Sequence, residues 1–158
     1  MQNIKTLGYY IASYMWSDMP VEVPLPAHIK NKSVYIGSAI SYYQYKFPVN
    51  SLTINLSGLN IAADINIKLD DNEYDNRQHM WHIHSLMSGL AEMVVDSNIP
   101  NIYIMCAAGI NRSALLCCYI LLQYGYSGAE AVRIMEQVNS QRGCPVLTNS
   151  VFKELVML

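Results

Sequence analysis

Charge is scarce in this chain. Asp, Glu, Lys and Arg make up only 14% of its 158 residues, against roughly 25% in an average soluble domain. The basic residues are scattered with no two adjacent, and the net charge is −2. Attraction to a nucleic-acid backbone draws on several clustered cations, so the composition argues against nucleic acid as a partner. A small anion pocket built from one arginine and backbone amides stays possible. The charge deficit also points to some surface covered by a partner. The first twenty residues lack the basic start, apolar middle and small-residue cleavage site of a secretory signal. The most apolar window, 102–122, carries Gly109, Asn111 and Arg112 near its centre, where an ionised arginine is costly in lipid, so no membrane span is expected. Cys106, Cys117, Cys118 and Cys144 show neither disulfide-scaffold nor zinc spacing, and a reducing, cytoplasmic location is expected.

What is present alternates between strand and helix patterns. Ile4, Leu7, Ile11 and Tyr14 share one face at helical spacing, so residues 3–16 read as a short amphipathic helix. Pro20, Pro24 and Pro26 then suggest an extended tether, which places an N-terminal segment at 1–31 and a compact domain at 32–158. Residues 33–36, 51–56 and 64–69 read as strands, each running into a Gly, Ser-Gly or Asp-Asp-Asn turn. From Arg77 to Ser97 the period is helical, with Met80, Ile83, Leu86, Met87, Leu90 and Val94 on one face. Residues 101–105 form a continuous apolar run of the kind found in a doubly covered central strand. Helices are expected from Arg112 to Tyr124 and, opened by the capping box Ser127-x-x-Glu130, on to Ser140; Thr148 or Asn149 caps a last one. The fold class is α/β, a central, mostly parallel twisted sheet flanked by helices.

The chemistry concentrates where the apolar run ends. Cys106-Ala107-Ala108-Gly109-Ile110-Asn111-Arg112-Ser113 places a cysteine, five residues and then Arg-Ser between a buried strand and a helix. Backbone N–H groups wrapped around one point at a helix N-terminus cradle an anion. Gly109 permits a backbone conformation or close approach that a side chain blocks. Arg112 can hold two phosphate oxygens and stays charged at any working pH. A cysteine on the floor of such a positive concavity has its thiol pKa lowered and is a nucleophile. Ser113 can donate a hydrogen bond to the sulfur. Cys117 and Cys118, inside the apolar helix, read as core residues, and Cys144 as a bystander thiol. His79, His82 and His84 do not converge on one helical face, so no metal site is expected there.

On these residues the chain resembles the dual-specificity protein phosphatases. CAAGINRS is similar to their active-site loop, and SVYIGSAI and SLTINLSG are similar to their first strands. INIKLDDNEYDN resembles the strand and loop that deliver the general acid, and Arg142 with Asn149, Phe152 and Leu155 resembles their C-terminal pattern. The poxvirus enzymes of the family look most similar, through the loop, the Asp-Asp pair and the N-terminal helix before a Pro-containing tether. The resemblance departs at Met105, where the family usually has a histidine that helps orient the loop.

The resemblance implies a phosphatase acting on phosphotyrosine and phosphoserine or phosphothreonine of proteins. Cys106 is then the nucleophile, Arg112 the clamp, and residues 107–111 with Arg112 the phosphate loop. Asp71 is the general acid, with Asp70 as the alternative, and no metal or cofactor is involved. Two other readings are an RNA 5′-phosphatase of the same superfamily and a non-catalytic phosphoprotein-binding module. The first calls for a basic rim and the second for loss of nucleophile or clamp. The N-terminal helix is expected to pair two copies into a homodimer, and a viral source would place the protein in host cytoplasm or virion.

Overall fold

A computed structural model describes residues 19–39 and 45–158. The expected N-terminal helix, and with it the expected dimer contact, lies outside the described residues. Five strands form one sheet in the order β1-β2-β5-β3-β4: β1 Val21–Val23, β2 Ser33–Ser38, β3 Ser51–Asn55, β4 Ile65–Asn66 and β5 Asn101–Cys106. β1 runs antiparallel to β2, and every other neighbouring pair is parallel. The α/β class and the mostly parallel sheet are therefore as the sequence indicates.

β5 is central for a reason visible in its composition. Ile102, Tyr103, Ile104, Met105 and Cys106 are all buried, as a strand covered on both faces requires. Tyr35 of β2 stacks on Tyr103 of β5 with ring centroids 4.6 Å apart, and Phe47 meets Tyr103 edge-on at 4.5 Å. Val34, Ile36, Ile102 and Ile104 belong instead to the main core shared with the helices.

Those helices are α1 Glu73–Gln78, α2 Met80–Asp96, α3 Arg112–Gln123, α4 Gly128–Gln141 and α5 Ser150–Met157. α3 is the core's axis. Residues Arg112 to Leu121 are buried without interruption, because α2, α4, α5 and β5 pack around it. A helix apolar all round is one enclosed on every side.

Three expectations need correction. The strand read at 64–69 shrinks to Ile65–Asn66, because Asp64 turns its carboxylate onto the Thr53 N–H and hydroxyl, at 2.8 and 2.9 Å, and Lys68 bridges antiparallel to Ser57. The helix read from Arg77 begins at Met80, since His79 leaves helical geometry at φ −123°, and a separate short helix precedes it. The stretch read as a tether contributes edge strand β1, where flanking prolines cost no ladder bond. The capping box is present as expected, with Ser127 and Glu130 bonding each other's backbone N–H, and Asn149 caps α5.

The start of α4 sits hard against the end of α5. A Cβ on Gly128 would lie 2.3 Å from the Val156 carbonyl oxygen, which is backbone and cannot swing aside. Alanine favours a helix interior by about 1 kcal/mol over glycine, but overpacking of this kind costs about 1–3 kcal/mol. Gly128→Ala is therefore expected to lower the urea midpoint followed by circular dichroism. An unchanged or raised midpoint would mean the two helices separate freely.

Candidate active site

β5 delivers Cys106 to the C-terminal edge of the sheet, and α3 begins six residues later at Arg112. Between them the backbone wraps around the Cys106 sulfur. The Gly109 N–H donates to Sγ at 3.1 Å, and the Ser113 hydroxyl lies 3.1 Å from the same atom. Sγ thus collects donors from the loop and from the first turn of the helix.

The loop's amides can point inward only if its carbonyls point out. Arg142 of the α4 C-cap donates from Nη1 to the Gly109 carbonyl at 2.8 Å and from Nη2 to the Ala108 carbonyl at 2.9 Å. Asn139, one turn earlier, donates to the same Gly109 carbonyl at 3.0 Å and to Pro145 O at 2.9 Å. Gly109 has φ +70°, and a Cβ there would lie 2.6 Å from Arg142 Nη1, so glycine is required both for the turn and for the clamp behind it. Ile110 O accepts from Leu147 N at 3.0 Å, and Leu147 is the one non-glycine residue at positive φ (+48°) among those described. That conformation costs about 1–2 kcal/mol for a residue with a Cβ, so the loop is held in part by a strained neighbour.

Arg112 is buried and fixed by its Nη1, which donates to the Ser57 and Leu69 carbonyls at 3.0 Å each. Its Nε is buried without a protein partner among the described residues, and Arg142 Nε, behind the loop, is in the same condition. Burial alone pushes the Cys106 thiol up. The Arg112 guanidinium, with the hydrogen bonds from Ser113 and the Gly109 N–H, outweighs it and holds the thiol below its ordinary value. The other cysteines go the opposite way: burial raises Cys117 and Cys144, and pushes Cys118 up to about 12.

Asp71 and Asp70 separate cleanly. Asp71 Oδ2 accepts from Asn111 Nδ2 at 2.9 Å, and Oδ1 accepts from Asn149 Nδ2 at 2.8 Å, so its carboxylate rests against the loop. Asp70 is exposed, and among the described residues only its carbonyl is used, accepting from Asn76. Asn149 does more than cap α5. Its amide also donates to Asn76 Oδ1 at 2.9 Å, and its backbone N–H donates to Asn111 Oδ1 at 3.1 Å. The sequence reading missed the supporting roles of Asn139, Asn149, Asn76 and the Ser57 and Leu69 carbonyls, and placed Arg142 only within a terminal pattern. The spacing of Asn139 and Arg142, three apart on one helix face, was the available signal. Of the three histidines, His84 pairs its Nδ1 with the Tyr119 hydroxyl at 2.9 Å.

Solved structures align with this chain over most of its length. The chain has the fold of the dual-specificity and tyrosine phosphatases. OH1 of the Orf virus, a tyrosine phosphatase with triple substrate specificity, aligns at a TM-score of 0.58 and 16% identity, over 98% of this chain and 96% of its own. A leucine-rich-repeat and phosphatase-domain protein from Entamoeba histolytica aligns at 0.62 and 13% identity, over 89% and 91%. Human DUSP28 aligns at 0.55 and 17% identity, over 87% and 90%. No family model and no curated protein matches the sequence.

Within that phosphatase fold, Met105 is buried in the sheet beside Cys106, and the loop carbonyls are held from α4 by Arg142 and Asn139. Iodoacetamide is therefore expected to modify Cys106 at lower pH than Cys117 and Cys118, as mass spectrometry of the digested protein would show. Arg142→Met, which frees two loop carbonyls, is expected to move the midpoint of the Cys106 alkylation profile to higher pH. An unmoved midpoint would show that the loop keeps its amides inward without Arg142.

Proposed function

We propose that the protein is a cysteine-dependent phosphatase that hydrolyses phosphotyrosine and phosphoserine or phosphothreonine of proteins. One observation carries the reading: the Cys106 sulfur sits within 3.1 Å of both the Gly109 N–H and the Ser113 hydroxyl, with its thiol pKa lowered chiefly by Arg112 against the effect of burial.

In the first step the Cys106 thiolate attacks phosphorus in line, forming the S–P bond as the P–O bond to the leaving group breaks. Arg112 and the loop amides hold the three equatorial oxygens. The Asp71 carboxyl gives its proton to the departing phenol or alcohol oxygen and becomes a carboxylate. In the second step that carboxylate takes a proton from water as the water oxygen attacks phosphorus. The S–P bond breaks, phosphate leaves, and the Ser113 hydroxyl donates to the returning thiolate. Asn149 keeps hold of Asp71 Oδ1 throughout, while Oδ2 exchanges Asn111 for the leaving oxygen. The positive charge comes from Arg112 and oriented amides, so each step closes with this chain's own residues.

An acid aspartate seated on the loop and a net charge of −2 favour a protein substrate over an RNA 5′-end. The assembled nucleophile and clamp favour an enzyme over a binding module. Four free thiols support a reducing, cytoplasmic setting.

Cys106→Ser is expected to abolish hydrolysis of an aryl phosphate while phosphate affinity persists, since amides and Arg112 make the cradle. Turnover at the parent rate would remove the nucleophile from Cys106. Asp71→Asn is expected to slow turnover by roughly 10²–10⁴-fold and to erase the pH limb that reports the acid. The loss should be larger for an alkyl phosphate than for a good phenoxide leaving group. A larger loss from Asp70→Asn would move the acid to its neighbour.

A further inference from the structure

α2 buries Ile83, Met87, Leu90, Ala91 and Val94 against the core and turns a second stripe outward. Trp81, Ser85, Gly89 and Met93 follow one another at intervals of four, so they form one ridge along the opposite face. All four are exposed. Trp81 and Met93 are two of the few large apolar side chains left in solvent among the described residues, at 76% and 39%. Trp81 is an anchor rather than a loose side chain. Its ring stands edge-on to that of His84 at 6.1 Å, and His84 Nδ1 is tied to the Tyr119 hydroxyl at 2.9 Å. An anchor held in place before contact loses little freedom on binding.

The polar residues of the same helix run against its dipole. Acids favour a helix N-terminus and bases a C-terminus. α2 has no acid in its first turn and no base in its last. His79 and His82 stand at its start, and Glu92 and Asp96 at its end, all exposed. Lys32 answers part of this inversion by donating to the Val94, Val95 and Ser97 carbonyls, close to Asp96. Glu92 is left over, since the one ion pair among the described residues is Arg77–Glu154. A helix so arranged gains from an antiparallel neighbour that carries the same inversion.

We propose that this face of α2 is a homodimer interface, on which α2 of a second copy packs antiparallel about a two-fold axis level with Met87. The ridge is its own complement. Position 81 of one copy meets 93 of the other, 85 meets 89, and 82 meets 92. Trp81 covers Met93 in a sulfur–aromatic contact. Ser85 against Gly89 lets the two helix axes approach to about 8 Å. A His82 ring N–H donates to the Glu92 carboxylate. Each contact occurs twice, as a two-fold axis requires. The interface belongs to the folded domain: it draws neither on the N-terminal segment nor on the phosphatase reading.

Sedimentation velocity of the full chain reads the outcome. The parent is expected to run as a dimer at about 50 μM and to dissociate on dilution. Gly89→Leu puts a side chain at the crossing, yet a Cβ at Gly89 meets nothing within 4 Å in its own chain. Leucine also favours a helix over glycine, so this variant should keep its circular dichroism spectrum and run as a monomer. Glu92→Lys should weaken the dimer about tenfold, because the pair is lost twice. Adding His82→Glu to Glu92→Lys should restore the affinity. Glu136→Lys on the exposed face of α4 makes the same charge change and should leave the dimer unaltered. A monomeric parent, a dimeric Gly89→Leu, or an equal loss in Glu136→Lys overturns the interface. A double variant no tighter than Glu92→Lys alone overturns the antiparallel register, and the proposal with it.

Discussion

Everything the site does depends on which way two peptide groups face. The Ala108 and Gly109 carbonyls are drawn outward by Arg142 and Asn139, so the Gly109 N–H turns toward the Cys106 sulfur. A loop with those carbonyls inward would repel both a thiolate and a phosphate. Orienting dipoles before any substrate arrives removes the reorganisation that water would otherwise need, which is the largest source of electrostatic catalysis in most enzymes. The cation that sets this orientation lies behind the loop, whereas Arg112, the cation proposed to meet the anion, lies in front of it. Two buried arginines therefore do different work on one strand-to-helix turn.

The elements that carry this arrangement were legible in the sequence where one residue type could satisfy only one physical demand. The run 101–106 could be covered only on both faces, and the Cys-to-Arg spacing placed both groups on one turn. The capping box at Ser127 and Glu130 announced α4 by its own hydrogen bonds. Failures came where the deciding partner was distant in the chain. α1 has the sequence EYDNRQ, with no apolar period to read. It is held by Asn72 at its N-cap, by Asn76 reaching Asp70 O and by Arg77 pairing with Glu154. Likewise, the alternation of Asp64–Leu69 satisfies the pattern of a strand, but an edge position and the Thr53–Asp64 bonds confine ladder pairing to two residues.

The same distinction holds inside the site. Cys106, Arg112 and Ser113 belong to one contiguous stretch and were readable together. Asp71 is singled out in the sequence only through resemblance, since an aspartate in a turn is ordinary, and its contacts with Asn111 and Asn149 come from the fold. The amides that position it were invisible. Asn149 looks like a helix cap, and is one, but the same side chain spans to Asp71 and Asn76. A residue with two jobs shows only the local one in sequence. Met105 teaches the converse: a departure from the resembled pattern beside Cys106 that looks damaging in sequence occurs in a structure whose loop carbonyls are gripped from α4.

That long reach of Asn149 has a consequence for how the protein comes into being. The loop residue Asn111 and the residue that completes its contacts are 38 positions apart, and Asp71 waits 78 positions for its second amide. At about 5–20 residues per second, a ribosome takes roughly two to eight seconds to pass from Asn111 to Asn149. Asn139 and Arg142, which set the loop, precede Asn149 by only ten and seven residues, so the loop is fixed barely before Asp71 receives its second amide. The orientation of the loop and the seating of the carboxylate beside it are therefore completed almost together, by residues 139–149.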